Sequence, residues 1–88
     1  MYAAMNEPLG KYMTAVRVEQ NARRTTYHWD ILARDKSVLG FVAWYTKSRQ
    51  YCFEPNGQTV YSMGCLLDMA DFLRRVNKEH EPAYRPKR

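Results

Sequence analysis

The sequence predicts an α+β fold, in which an antiparallel β-meander of four to five strands is followed by one C-terminal α-helix packed on one face of the sheet. From residue 12 to residue 61, apolar and polar residues mostly alternate in short runs separated by turn residues, which is typical of strands. After Ser62 the apolar residues recur every three or four positions, which is typical of a helix. Because the chain has 88 residues, it forms at most one domain.

The predicted domain occupies residues 11–80. Residues 1–10 include Asn6, Pro8 and Gly10, and we expect a loose lead-in there. Residues 81–88 carry two prolines and three cations, and we expect a disordered basic tail.

Two strands open the predicted meander. The first covers residues 12–20 and the second covers residues 26–34, with a hairpin tip at 21–24 between them. In the second strand one face is apolar and the other is polar, as in a half-buried strand. The apolar set is Tyr27, Trp29, Ile31 and Ala33, and the opposite set is His28, Asp30 and Arg34.

Three further strands are predicted after a turn at residues 35–37. Residues 38–46 are apolar on both faces, as expected of a central strand that is covered on both sides. Residues 49–53 place Tyr51 and Phe53 on one face and Cys52 on the other. Residues 54–57, which contain Pro55 and an Asn-Gly step, predict a tight turn with positive φ angles, leading into a short fifth strand at 58–61.

The helix is predicted from Met63 to Glu79, with Ser62 as its N-cap. Acidic residues come early in it and basic residues come late, an order that suits the helix dipole. Asp71 and Arg75 are spaced for an ion pair across one turn. The stripe expected to lie on the sheet consists of Leu66, Met69, Ala70, Leu73 and Val76, widened by Cys65 and Phe72. Within this stripe, the side chains expected to be buried in the core are those of Leu66, Met69, Leu73 and Val76.

Two basic turns form the first candidate binding site. The net charge of +5 favours polyanionic partners in general, although such a charge also serves solubility. In a meander, alternate turns lie at the same end of the sheet. Arg23 and Arg24 should therefore lie near Lys47 and Arg49, as a contact for phosphate groups or for an acidic protein, unless these turns are merely solvated.

Aromatic residues on the strands form the second candidate site. One helix covers only one face of a sheet, so rings on the other face are available for stacking on bases or for a protein partner. Trp44, Tyr45 and Tyr51 are the candidates for such contacts. The rings expected instead to pack within the sheet are Trp29, Phe41 and Phe53.

No metal, cofactor or catalytic site is predicted. His28, His80, Cys52 and Cys65 do not have the spacing of a zinc site, and we expect both cysteines to be reduced and mostly buried. His28 and Asp30 lie on one strand face and can touch, but no nucleophile accompanies them. The chain is therefore not expected to be an enzyme.

The chain is expected to reside in a reducing cytoplasm and not in a membrane. Its longest apolar run, residues 38–45, is far shorter than the ~20 residues of a membrane-spanning helix. The N-terminus lacks the pattern of a secretory signal, and two cysteines are too few for a disulfide scaffold.

A further pattern lies between Trp44 and Leu73, and its elements are Trp44-Tyr45, Arg49 to Phe53, Pro55, Thr59-Val60, Cys65-Leu66, Asp68 and Phe72-Leu73. Through these elements, over about a third of the chain, the sequence resembles a family of short uncharacterised proteins encoded by bacteriophages and prophages. One departure is Ser48, where many members of the family have an aromatic residue. The resemblance implies a mobile-element origin and a bacterial cytoplasm, but no chemistry.

Two functions are compatible with these observations. The first is a non-enzymatic binding protein that engages a host protein or nucleoprotein complex, for example as an anti-CRISPR or other anti-defence inhibitor, since small phage proteins without catalytic motifs often act on host machinery. The second is a direct nucleic-acid-binding protein that uses an aromatic and basic sheet face. A homodimer that covers its own open face is compatible with either.

Overall fold

The computed structural model describes residues 6–18 and 26–83. Five strands form one antiparallel sheet in the order β1-β2-β3-β4-β5, and one C-terminal helix packs on it, so the predicted α+β meander is confirmed. Within the described residues, no helix is both long and apolar enough to span a membrane. The elements are β1 (Asn6–Leu9), β2 (Met13–Val18), β3 (His28–Ala33), β4 (Val38–Tyr45), β5 (Gln50–Pro55) and α1 (Met63–Ala83).

The two ends of the sheet differ from the prediction. Residues 6–9, predicted to be part of a loose lead-in, form β1 and pair with β2. Residues 58–61, predicted to be a fifth strand, are not a strand. Neither Asn56 nor Gly57 has a positive φ angle. Asn56 instead binds β4, since its backbone N–H donates to the Leu39 carbonyl at 2.8 Å and its side-chain amide donates to the Val38 carbonyl at 3.0 Å.

Two of the other described turns are held by local hydrogen bonds. Between β3 and β4, the Asp35 carboxylate accepts hydrogen bonds from the hydroxyl and the backbone N–H of Ser37, at 2.7 Å and 2.9 Å. These bonds stabilise the ionised form and lower the pKa of Asp35. Between β4 and β5, Arg49 has a φ of 57° and its backbone N–H donates to the Tyr45 carbonyl at 2.8 Å. The predicted tip at 21–24 lies outside the described residues.

The helix begins as predicted, and Met69 and Val76 are buried as predicted, but Phe72, and not Leu66, completes the side that faces the sheet. The Ser62 hydroxyl accepts a hydrogen bond from the backbone N–H of Cys65 at 3.2 Å, which confirms Ser62 as the N-cap. Leu66 was expected to be buried, yet 51% of it is exposed, and Leu73 is only half-buried. The residues buried against the sheet are Met69, Phe72 and Val76.

Contacts on both flanks of the helix explain this orientation. Arg75 forms an ion pair with Glu7 of β1, and Asp71 pairs with Arg74, so the predicted pair between Asp71 and Arg75 is wrong. On the opposite flank, the Asn77 side chain binds the backbone of Tyr51 in β5. The helix is therefore fixed between the two edge strands. It continues to Ala83, into the stretch predicted to be a tail.

Candidate functional site

The strand register divides the sheet into two faces. Ala15 pairs with Ile31, and Trp29 pairs with Val42, and all four side chains are buried on the face that carries the helix. Successive residues of a strand point to opposite faces, so the alternate residues form a second face, which no described element covers. We call it the open face. Its members are Asn6, Pro8, Thr14, Val16, Val18, His28, Asp30, Leu32, Val38, Phe41, Ala43, Tyr45, Gln50, Cys52 and Glu54.

The centre of the open face is a row that crosses four strands. Val16 pairs with Asp30, Asp30 with Phe41, and Phe41 with Glu54. Residues paired in this way lie side by side on one face, about 5 Å apart. The row therefore places an aromatic ring between two carboxylates.

His28 lies in the adjacent row, between Val18 and Ala43, and contacts the central row. Its imidazole Nε2 lies 3.4 Å from a carboxylate oxygen of Asp30, as the alternation in this strand predicted. Its ring also lies against Phe41, with 5.0 Å between the ring centroids and 31° between the ring planes. These contacts hold the three side chains as one cluster on the surface. The row that holds His28 continues from Ala43 to Cys52, whose thiol lies one strand further from His28.

The open face is acidic, whereas the described residues as a whole are nearly neutral. Among its residues are two carboxylates and no lysine or arginine. The described residues as a whole are nearly balanced, with nine Lys or Arg and eight Asp or Glu. Segments 19–25 and 84–88 together hold the other five cations and one acid. The basic character of the chain is thus concentrated in those segments and is not a property of the open face.

The edges of the sheet are less accessible than its open face. Tyr51 in the edge strand β5 donates its backbone N–H to the Asn77 side-chain oxygen at 2.6 Å, and its carbonyl accepts from the Asn77 amide at 3.2 Å. Asn77 thus occupies the positions that a further strand would take. Pro55 and, in β1, Pro8 have no N–H to offer such a strand.

Two of the predicted contact residues lie on the face under the helix. Tyr51 is only 2% exposed and packs edge-on against both Trp29 and Trp44, at centroid distances of 5.4 Å and 5.3 Å. Its hydroxyl accepts a hydrogen bond from the backbone N–H of Tyr27 at 3.1 Å, while burial raises its pKa. Trp44 is half-buried beside it. The expectation that Trp44 and Tyr51 could lie on the open face is therefore wrong.

The remaining predicted site residues are distributed differently. Tyr45 lies on the open face and is 50% exposed. Lys47 and Arg49 are exposed in the turn between β4 and β5. Arg23 and Arg24 lie outside the described residues, so their proximity to that turn stays a prediction. The strand order does bring the chain out of β2 and into β3 at the same end of the sheet as that turn.

Three other predicted ring positions have mixed outcomes. Trp29 is buried in the core, and Phe53 packs against the core beside Tyr61, at 5.6 Å between ring centroids. Phe41 lies on the open face, where it was not proposed as a contact residue. The sequence of β4 is apolar on both faces and gives no phase by itself, so it does not identify Phe41 and Ala43; their pairing with Asp30 and His28 of β3 does. Glu54, predicted to lie in a tight turn, is instead a residue of β5 that pairs with Phe41.

Metal-ligating side chains, cysteines and cavities are the other features of the described residues that bear on chemistry. Among the residues that the structure describes, no group of three or more His, Cys, Asp or Glu side chains could hold a metal ion. Cys52 and Cys65 are both half-buried and form no disulfide. A cavity of about 350 Å³ lies beside the start of the helix, lined by Tyr12, Leu67 and Asp68 among others, and it contains no histidine.

A second apolar surface lies on the outer side of the helix. Leu67 is 62% exposed, and the exposed residues around it are also apolar. We call this surface the helix stripe; it consists of Met63, Leu66, Leu67 and Ala70.

Comparisons with protein-family models, with curated proteins and with solved structures found no match.

Proposed function

We propose that this chain is a binding protein without a catalytic role, and that it holds another protein on the open face of its sheet. The observation that carries the proposal is the composition of that face, in which aliphatic and aromatic side chains are uncovered and no lysine or arginine is present. Surfaces that combine apolar area with a few polar groups are typical of protein–protein contacts.

The same composition makes the open face a poor surface for nucleic acid. Binding of a single strand needs exposed rings next to cations that neutralise phosphates. Trp44 and Tyr51 lie on the opposite face, and Asp30 and Glu54 would repel a phosphate backbone. A protein partner needs no such neutralisation.

The partner is expected to use the face and not an edge. Addition of a strand to β5 would have to displace Asn77 from the backbone of Tyr51. On the face, by contrast, Tyr45 and Val18 are exposed and separate from the contacts that hold the helix. Their removal should therefore leave the fold intact.

The resemblance of residues 44–73 to short bacteriophage proteins supports a partner from the bacterial host. On this proposal the partner is a host protein or a nucleoprotein complex, and inhibition of a CRISPR or other defence complex is one specific form of the function. A partner that contains nucleic acid would still be reached through its protein surface.

A second candidate function is supported by a separate observation. Segments 19–25 and 84–88 carry five of the fourteen cations, and Lys47 and Arg49 are exposed at the end of the sheet where the first of these segments joins the strands. Direct contact with nucleic acid at that end would use the basic segments instead of the open face. It would weaken with salt by roughly 0.7–0.9 in logarithmic slope for each phosphate neutralised.

Capture from bacterial lysate, with and without nuclease, tests the proposal. The bait is the full chain, compared with Tyr45→Ser on the open face and with Val60→Ser, which is 91% exposed and belongs to no strand of the sheet. We expect a stoichiometric protein partner that survives nuclease, is retained by Val60→Ser and is lost with Tyr45→Ser. Loss of all bound material after nuclease would favour the second candidate, and full capture by Tyr45→Ser would contradict the proposal.

A further inference from the structure

We infer that the partner surface that docks on the open face is both apolar and basic, and that an arginine or lysine of the partner pairs with the carboxylates that flank Phe41. This inference rests on the proposed function and specifies the chemistry of its partner. It follows from the loss of water around the carboxylates of Asp30 and Glu54 when a partner covers the open face.

The central row fixes where these charges are. Asp30 and Glu54 lie on either side of Phe41 in neighbouring strands, so their backbones are about 10 Å apart at ordinary strand spacing. Asp30 has His28 as a neighbour at 3.4 Å. Glu54 is exposed, and no described residue forms an ion pair with its carboxylate.

Covering this row with a purely apolar surface is unfavourable. A carboxylate that loses water without gaining a charged or hydrogen-bonding partner is strongly destabilising. A basic side chain removes that penalty, because it pairs with the carboxylates while its stem or planar group lies against the Phe41 ring. Arginine suits the position best, since its guanidinium group both stacks on rings and binds carboxylates in a bidentate manner.

A second copy of this chain does not supply that group from its own open face. That face brings two more carboxylates and no lysine or arginine. Two such faces packed together would leave like charges near each other in a desolvated contact. The charge complementarity therefore favours a different protein over self-association.

A displayed library of random 12-residue peptides, selected on the immobilised full chain, tests this inference. The open-face variant is Asp30→Asn with Glu54→Gln. The matched control is Asp71→Asn with Glu79→Gln, which removes the same charge from exposed positions on the helix. Thermal melting of both variants checks that the fold is retained.

We expect selected peptides to combine Arg or Lys with aliphatic or aromatic residues. Their affinity should fall at least tenfold on the open-face variant and stay within twofold on the control. Three results would each overturn the inference. They are selected peptides that lack cations, peptides that bind the open-face variant as tightly as the wild type, and a selection that yields no peptide bound to the open face. A dimer in sedimentation analysis that dissociates on Ala43→Arg would also overturn it, since a second copy would then occupy the face.

This result can be separated from the test of the proposed function. If Tyr45→Ser abolishes capture while the Asp30 and Glu54 variant binds the captured protein normally, the open face is the binding site and only the inferred chemistry is wrong. If Tyr45→Ser has no effect on capture, the proposed site itself is wrong.

Discussion

The two faces of this sheet are built by the same five strands but differ in how their rings are used. Under the helix, Trp29 contacts Tyr51 and Phe72 edge-on, with centroid distances of 5.4 Å and 5.3 Å, and each of these residues is buried. On the open face, the only aromatic ring that packs against Phe41 among the described residues is that of His28, and Tyr45 is half exposed. The number of aromatic residues on the strands therefore does not identify a binding surface, because the rings that the helix covers belong to the core.

The largest effect is expected from emptying the core on the helix side. Phe72 is only 1% exposed and fills the space between the helix and Trp29. Phe72→Ala should lower the free energy of unfolding by about 3–5 kcal/mol, a large part of the stability of so small a domain. Leu73→Ala, at a half-buried position, should cost clearly less in the same denaturant titration. Equal losses for the two variants would show that the helix orientation is wrong.

The next largest effect is expected at the edge of the sheet. Asn77→Ala removes both hydrogen bonds between the Asn77 side chain and the backbone of Tyr51. The free energy of unfolding should fall by about 1–3 kcal/mol. The exposed edge of β5 should also promote self-association in sedimentation experiments. Lys78→Ala, one residue further along the helix and exposed, is the matched control and should do neither.

A smaller effect is expected on how the free energy of unfolding changes at alkaline pH, and it depends on the buried Tyr51. Burial raises the pKa of Tyr51, so its neutral form is favoured in the folded state. A raised folded pKa means that the contribution to stability is complete below about pH 10, the ordinary value, and is lost as the pH rises towards the folded pKa. We expect stability to fall above pH 10, and to fall less steeply in Tyr51→Phe.

Denaturant titrations at pH 8 to 11 measure this difference. Tyr51→Phe should be less stable than the wild type at pH 8, because the hydrogen bond from the Tyr27 backbone is lost. Tyr45→Phe, at a half-exposed position, serves as the control and should keep the wild-type slope. Parallel alkaline slopes for all three proteins would mean that Tyr51 is not the residue whose ionisation destabilises the fold.

Much of the helix-covered face could be predicted from the sequence, because strand alternation has a strict period. Tyr51 and Phe53 were placed on one face and Cys52 on the other, and the register confirms this. The same alternation also assigns Trp44 in β4 to a face. A turn at residues 46–49 pairs Trp44 with Tyr51 and Val42 with Phe53, so assigning Phe53 to the core also assigns Trp44 to that face.

Other features could not be predicted for physical reasons. Strand β1 contains Pro8 and polar residues, and only its pairing with β2 makes it a strand. The first half of the helix is apolar on almost every side, so its spacing does not fix which side is buried. The contacts that do fix it, from Arg75 to Glu7 and from Asn77 to Tyr51, join residues 68 and 26 positions apart in the chain.

The most direct measurement compares two identical substitutions on the two uncovered apolar surfaces. Ala43→Arg places a long charged side chain in the middle of the open face, and Ala70→Arg does the same on the helix stripe. Both variants should melt within a few degrees of the wild type, since neither alanine is buried in the core. Affinity for the captured partner is then measured for each. We predict at least a tenfold loss with Ala43→Arg and an unchanged affinity with Ala70→Arg; the reverse result would contradict our account and assign binding to the helix stripe.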